Sequence, residues 1–214
     1  FCTSKYSFTA KSKRTILMPA GIDTELFKRE ENIVRTPHTI LSLGRISPVK
    51  NVDMLIDAVM RVDEKGYDFV LTIVGDSLAK DASYVAMIKD KAEPLIQKGK
   101  IIFFGSVPNN KAPEIYNKHE LFVNLTDSGS FDKTILEAMA CESLVLVSNK
   151  SFVGMIPEQF IFEEKDFVEL SNKIIRSLSL HDEEKVRVAR LSRKVVEEQH
   201  SLKLLTKRLI EEIG

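Results

Sequence analysis

Tryptophan is missing from the 214 residues, and aromatic side chains make up only 7%. A platform that stacks single-stranded bases on successive rings is therefore not expected. Net charge is missing too, since 31 basic residues balance 31 acidic ones. A general nucleic-acid binder carries a basic excess, so nucleic acid is not an expected partner. Cysteine is scarce: Cys2 lies in a terminus expected to be mobile, Cys141 near the end of an apolar helix. Two such thiols fit a reducing compartment, the cytoplasm, more simply than a disulfide framework. No run approaches the roughly 20 apolar residues of a membrane span. The longest, such as Phe69 to Val74, are strand-sized. The chain begins at Phe1 without a signal-peptide pattern, and is expected to be a piece of a longer protein.

Familiar chemical signatures are also absent. His38, His119, His181 and His200 lack metal-ligand spacing. No Asp-x-Asp pair could hold a metal against a diphosphate, and no G-x-G-x-x-G nicotinamide fingerprint occurs. Gly99-Lys100 lacks the upstream Gly and downstream Ser/Thr of a P-loop, and no Gly-x-Ser-x-Gly elbow exists. The expectation is chemistry without metal or cofactor, resting on fixed positive charge. No side chain is singled out as catalytic.

What is present is a core. Hydrophobic residues make up 43% and charged ones 29%, enough to bury an interior and stay in solution. Residues 1–38 read as an incoming linker and edge segment, basic at first (Lys5, Lys11, Lys13, Arg14, Lys28, Arg29). In it the extended run Thr15 to Met18 precedes a Pro19-Ala-Gly-Ile-Asp23 turn. Residues 39–162 then alternate. Strands are expected at Thr39–Leu43, Phe69–Val74, Lys100–Phe104, Glu120–Leu125 and Ser143–Val147. Helices are expected at Val52–Val62, Asp81–Lys98, Lys111–Asn117 and Asp132–Cys141, with Pro94 bending or ending the second early. Continuous apolar strands joined by helices imply an α/β fold, a doubly wound parallel sheet. Residues 163–214 read as charge-balanced helices packing on the core. Leu170, Ile174, Ile175 and Leu178 mark one apolar face; Leu202, Leu205, Leu209 and Ile210 mark another, which could also brace a second domain.

Doubly wound sheets bind ligands outside the carboxyl ends of their strands. Two segments fall there. Gly44-Arg-Ile-Ser-Pro-Val-Lys50 puts Arg45 and Lys50 beyond a strand. An Arg fork and a Lys point charge could converge on one anion, or both could be ordinary solvated charges. The loop Asp127 to Thr134 leads into a helix N-terminus. Gly129 and Ser130 allow a tight turn, Asp132 could cap the helix, and the N–H groups of Lys133 and Thr134 could face phosphate. Glu137 is the anomaly, one acid in an apolar helix segment. A buried carboxylate needs partners, which vicinal sugar hydroxyls would supply; the plainer alternative is a wet stripe on the helix. The picture is a pocket for a diphosphate at one end and sugar hydroxyls at the other.

These segments resemble the C-terminal half of GT-B glycosyltransferases of family 4, the group 1 enzymes. Met18-Pro-Ala-Gly-Ile-Asp-Thr-Glu-Leu-Phe27 is similar to the family's interdomain segment. Leu43-Gly-Arg-Ile-Ser-Pro-Val-Lys50 resembles its Gly-Arg-x4-Lys signature. Ile73-Val-Gly-Asp76, Phe104-Gly105 before Val107, and the more specific Leu136-Glu-Ala-Met-Ala-Cys141 follow in family order. The match runs from about residue 15 to 150. It implies a Rossmann-like half of a GT-B fold that binds a nucleotide-sugar donor, a UDP-sugar first and a GDP-sugar second. By resemblance, Arg45 and Lys50 meet the diphosphate with Lys133 and Thr134 near it, Glu137 the ribose, and Val107 the base. Gly129, Ser130 and Asp132 approach the transferred sugar. The longer enzyme would retain anomeric configuration and use no metal. It would need an N-terminal acceptor domain that 214 residues have no room for, so this chain alone would turn over little. Its acceptor would be a glycan, a lipid-linked glycan or a small molecule, and it could sit on the inner membrane surface.

Three departures stand out. Where the family often has the first Glu of E-x7-E, this chain has Gly129, and Asp127 or Asp132 could compensate. The family's usual Gly after the Lys is Asn51, and that after Ala-Cys is Glu142. Two other readings stay open: a non-catalytic nucleotide-binding or assembly domain, and another GT-B enzyme such as a sugar-nucleotide epimerase.

Overall fold

The computed structural model describes residues 1–7, 10 and 15–213. The basic residues Lys11, Lys13 and Arg14 fall outside them. Five strands form one wholly parallel sheet: β1 Thr36–Leu43, β2 Val70–Val74, β3 Ile101–Gly105, β4 His119–Asn124 and β5 Leu144–Val147, in the order β3-β2-β1-β4-β5. Helices α1 Val52–Glu64, α2 Ala82–Gln97, α3 Ala112–Lys118 and α4 Lys133–Ala140 make the crossovers. The strands are nearly all apolar because helices cover both faces: Ile40, Leu41, Leu71, Ile73, Leu121, Val123 and Leu146 are at most 1% exposed. Such side chains each contribute roughly 1.5–3 kcal/mol through burial. The chain winds from β1 outward to β3, then returns to β4 beside β1. That reversal opens a crevice between the carboxyl ends of β1 and β4.

Local geometry differs from the sequence pattern in instructive places. β1 begins at Thr36, three residues before the apolar run, because Thr36 pairs with His119 ahead of a register shift. Within that irregularity His38 has φ 57° and gives its N–H to Glu120 Oε2 at 2.5 Å. Pro94 does not end α2, which runs three residues further to Gln97. The proline is exposed and close to the helix end, where few backbone bonds remain to be lost. Cys2 is not in a loose terminus. It is buried, and parallel bridging to Leu17 ties it down through Cys2 N–H to Ile16 O (3.0 Å) and Met18 N–H to Cys2 O (2.8 Å). Cys2 and Cys141 are both buried free thiols.

Three helices follow the sheet: α5 Phe167–Leu178, α6 Asp182–Gln199 and α7 Leu202–Ile213. α5 buries Leu170, Ile174 and Leu178, and α6 buries Val188, Ala189 and Val196. α7 packs only loosely, with Leu205 half-buried against Gly21. None of its residues is buried, and Leu202, Ile210 and Ile213 are exposed. Its start is nevertheless fixed. Gly21 and Ile22 N–H groups donate to His200 O, and Leu202 N–H donates to Ile22 O at 2.7 Å.

Candidate functional site

The crevice floor is set by a close approach of two backbones. Gly75 follows β2 with φ 144°, and a Cβ there would lie 1.9 Å from Gly44 O. Only glycine lets the β1 and β2 ends meet in this way. Gly44 N–H then reaches Val74 O at 3.0 Å, and Ile46 N–H reaches Asp76 O at 2.9 Å. Arg45 is thereby held at the rim, exposed and without a side-chain partner among the described residues. It borders a cavity of about 330 Å³ whose walls include Gly75, Asp76, Ser106 and Val107. A smaller neighbouring cavity joins Arg45 to Lys50, Asn124 and Thr126, so the two bases share one crevice.

Lys50 is less free than its sequence position implies. Its ammonium donates to Asp132 Oδ2 at 2.5 Å and to Thr126 Oγ1 at 3.1 Å. Asp132 is the N-cap of α4, accepting the Thr134 N–H at 3.2 Å and the Thr134 hydroxyl at 2.8 Å. Asn124 Nδ2 and Thr126 Oγ1 also donate to it. Burial pushes the Asp132 carboxyl up, but the Lys50 charge and hydrogen bonds from Lys50, Asn124 and Thr134 outweigh it and hold it below the usual range. The Thr134 N–H, expected to be free for a ligand, is therefore spent on this cap. Lys133 N–H has no such bond among the described residues, and the Lys133 side chain is exposed.

The remaining loop is strapped down. Asn149 Nδ2 donates to Asp127 O (3.2 Å) and Ser130 O (2.7 Å), and Ser128 N–H donates to Glu164 Oε1 (2.8 Å). Gly129 takes φ 102°, a conformation that favours glycine. Phe131 stacks on Phe152 with centroids 5.1 Å apart and lies 5.6 Å from the His200 ring. Asp127 Oδ1 accepts Asn51 Nδ2 at 3.2 Å.

Glu137 does not lie on a wet stripe. It is half-buried, and the hydroxyl of fully buried Tyr116 donates to its Oε2 at 3.0 Å. Burial raises the Glu137 carboxyl above its ordinary value. Tyr116 and Lys133 pull it back, while Asp132 pushes the same way as burial. The Tyr116 hydroxyl is in turn pushed well up, by burial first and then by the Glu137 charge. Tyr116, Asn124 and Asn149 had no sequence signal, because their importance comes from partners distant in the chain.

The largest cavity lies elsewhere. A groove of about 710 Å³ at the amino ends of β1, β4 and β5 is lined by Arg29, Arg35, Lys185 and Arg193 among others. Four of its bases are spent on structure, while Lys28 and Arg190 stay exposed at its edge. Arg35 donates to Glu142 O and Cys141 O, Arg193 to Ala140 O, Arg29 to Asn117 Oδ1, and Lys185 pairs with Glu120 at 2.5 Å. Burial, and then Arg29, lower the Arg35 guanidinium to about 10. Size therefore points away from the better-arranged site.

Comparison with known proteins follows the same lines. A family profile described as "Glycosyl transferases group 1" matches residues 23–195. The chain is 26% identical over 150 residues to mannosylfructose-phosphate synthase of Agrobacterium fabrum, covering 64% of this chain and 33% of that protein. It thus spans about a third of the length of this curated relative. The structure of Anabaena HepE in complex with UDP and glucose superposes with a TM-score of 0.83 at 20% identity, over 99% of this chain and 61% of that one. The C-terminal domain of the group 1 protein LpcC from Francisella tularensis gives 0.74 at 20% identity, over 85% of this chain and all of that one. With the fold matched and 173 of its residues within the family profile, the chain belongs to the group 1 glycosyl transferases.

Proposed function

We propose that this chain is the donor-binding domain of a retaining, metal-independent glycosyltransferase, with a UDP-sugar as first donor and a GDP-sugar as second. The observation that carries the reading is the pairing of a partnerless Arg45 with a fixed Lys50 in one crevice at the sheet's switch point. Arg45 offers a bidentate fork to phosphate oxygens and Lys50 a point charge. Both would stabilise the negative charge that develops as the diphosphate departs. Lys133 and the α4 N-terminus would add positive potential beside it. Glu137, with one oxygen on Tyr116, would accept hydrogen bonds from the ribose at the other. The base would lie against Val107, in the cavity that Arg45 borders. Gly129 and Ser130 would approach the sugar. That the similarly folded HepE was solved with UDP and glucose supports a UDP-sugar as the donor class.

Transfer would need a second, acceptor-binding domain in the same protein. The uncovered apolar side of α7 suits contact with it. This chain alone would bind donor and turn over little. Calorimetric titration with UDP, GDP and their sugar conjugates, with and without EDTA, tests the reading beside an Arg45→Ala/Lys50→Ala variant. Binding that survives EDTA and is lost in the variant supports it. Binding that the variant keeps would overturn the site assignment. An isomerised donor as product, rather than a transferred sugar, would favour the epimerase reading.

A further inference from the structure

Two acids stand beside the basic pair, and Asp132 has no free carboxylate oxygen. Asp132 Oδ2 takes Lys50 Nζ, Asn124 Nδ2 and Thr126 Oγ1, while Oδ1 takes the Thr134 N–H and hydroxyl. Asp127 Oδ1 takes Asn51 Nδ2. A carboxylate offers about four lone-pair sites, so Asp132 is saturated by chain partners. Its side chain is only 9% exposed, against 22% for Lys50. Asp132 is thus not disposed to take over the sugar-facing position that Gly129 leaves without a carboxylate, whereas Asp127 keeps Oδ2 without a hydrogen bond among the described residues.

A lysine ammonium has three N–H donors. Lys50 spends one on Asp132 and one on Thr126, which leaves a third, and the residue lines the crevice. Arg45, across the same crevice, has no counter-ion among the described residues. We propose that Asp132 is the positioning residue of Lys50: it fixes the ammonium at the crevice wall and partly neutralises it. A ligand diphosphate then shares Lys50 with a built-in carboxylate rather than meeting a bare charge. This rests on the donor-site reading above. The two bases would have unequal tasks. Arg45 is a mobile fork that follows the phosphates, and Lys50 is a fixed point that sets their register. Asp132 would lower diphosphate affinity and, by the same contact, favour release of the diphosphate product.

The test is a coupling experiment with UDP on the 214-residue chain. Asp132→Asn removes the charge but keeps a side chain that caps helices well. It should tighten UDP binding at least about fivefold, within the range expected for one charge-assisted bond. In a Lys50→Ala background the same substitution should change affinity less than about twofold. The Lys50 ammonium nitrogen resonance should also move in Asp132→Asn before any nucleotide is added. No tightening, or equal tightening without Lys50, overturns the proposal; the latter would mean Asp132 acts on the diphosphate directly. The wild-type chain carries a test that needs no folded variant. Saturation with UDP should shift the Asp132 carboxyl carbon signal, and an unmoved signal would overturn the shared-ammonium arrangement. A wild-type chain that binds neither UDP nor GDP would instead overturn the donor-site reading itself, a result distinct from normal binding without an Asp132 effect.

Discussion

Removing one hydroxyl, Tyr116→Phe, isolates what supports Glu137. The ring is fully buried and packs edge-on against Phe27 and Phe122, at 6.3 and 5.6 Å between centroids, contacts that Phe keeps. What is lost is the 3.0 Å hydrogen bond to the Glu137 carboxylate. Hydrogen bonds to charged groups contribute roughly 1.5–3 kcal/mol net. Glu137 is only half-buried, so water can replace part of that, and a loss of about 1–2 kcal/mol is expected. For a chain of this length that corresponds to a Tm about 2–8 °C lower. A second consequence is directional. Burial already raises the Glu137 carboxyl and the Tyr116 hydroxyl holds it back, so the variant should titrate Glu137 at still higher pH. Urea unfolding and carboxyl-carbon NMR titration measure the two effects. Unchanged stability together with unchanged titration would refute the claim that Tyr116 sustains the charge on Glu137.

Further expectations concern the backbone and the histidines. Gly75→Ala should destabilise by about 3 kcal/mol or more, since it adds a clash with Gly44 O to an unfavourable φ, and should cut UDP affinity by moving Arg45; denaturant midpoints and titration check both. Glu142→Gly should stabilise by about 0.5–1 kcal/mol, because position 142 has φ 54° and its side chain makes only a loose 3.9 Å pair with exposed Arg190. Burial lowers both His119 and His200 below the usual range. Their folded values are depressed, so the stability they contribute is complete above the unfolded value of about 6.5 and is lost as pH falls through the lower folded values. The stability difference between pH 7.5 and pH 5 should shrink in a His119→Gln/His200→Gln variant.

The parallel sheet and the helix crossovers were legible because buried parallel strands are continuous apolar runs, and those runs are short and separated by helical spacing. The two departures from family glycine were legible as changes but not as geometry. Asn51 and Glu142 have φ 49° and 54°, so both occupy left-handed positions where glycine is at ease. Asn51 is compensated by hydrogen bonds to Leu125 O and Asp127. Asp132 illustrates the limit of local reading. Its place before the helix signals a cap, which the structure contains, whereas its pairing with Lys50 joins residues 82 apart. The same holds for Tyr116 and Glu137, and for Arg35 and Arg193, whose charges serve carbonyls at the far end of α4. The loose packing of α7 has another cause. Helical spacing reveals an apolar face but not what covers it, and the described residues of this chain cover it only in part, leaving Leu202 and Ile210 exposed.

The central claim is that nucleotide binds in the crevice at the carboxyl ends of β1 and β4, not in the larger groove at the opposite end. Backbone and side-chain NMR of the labelled chain titrated with UDP tests it most directly. The account predicts shifts confined to Arg45, Lys50, Thr126, Asp132, Lys133, Glu137 and the neighbourhood of Val107, with Arg35, Lys185 and Arg190 unmoved. Shifts centred on the Arg35–Arg190 groove at saturating UDP would contradict it.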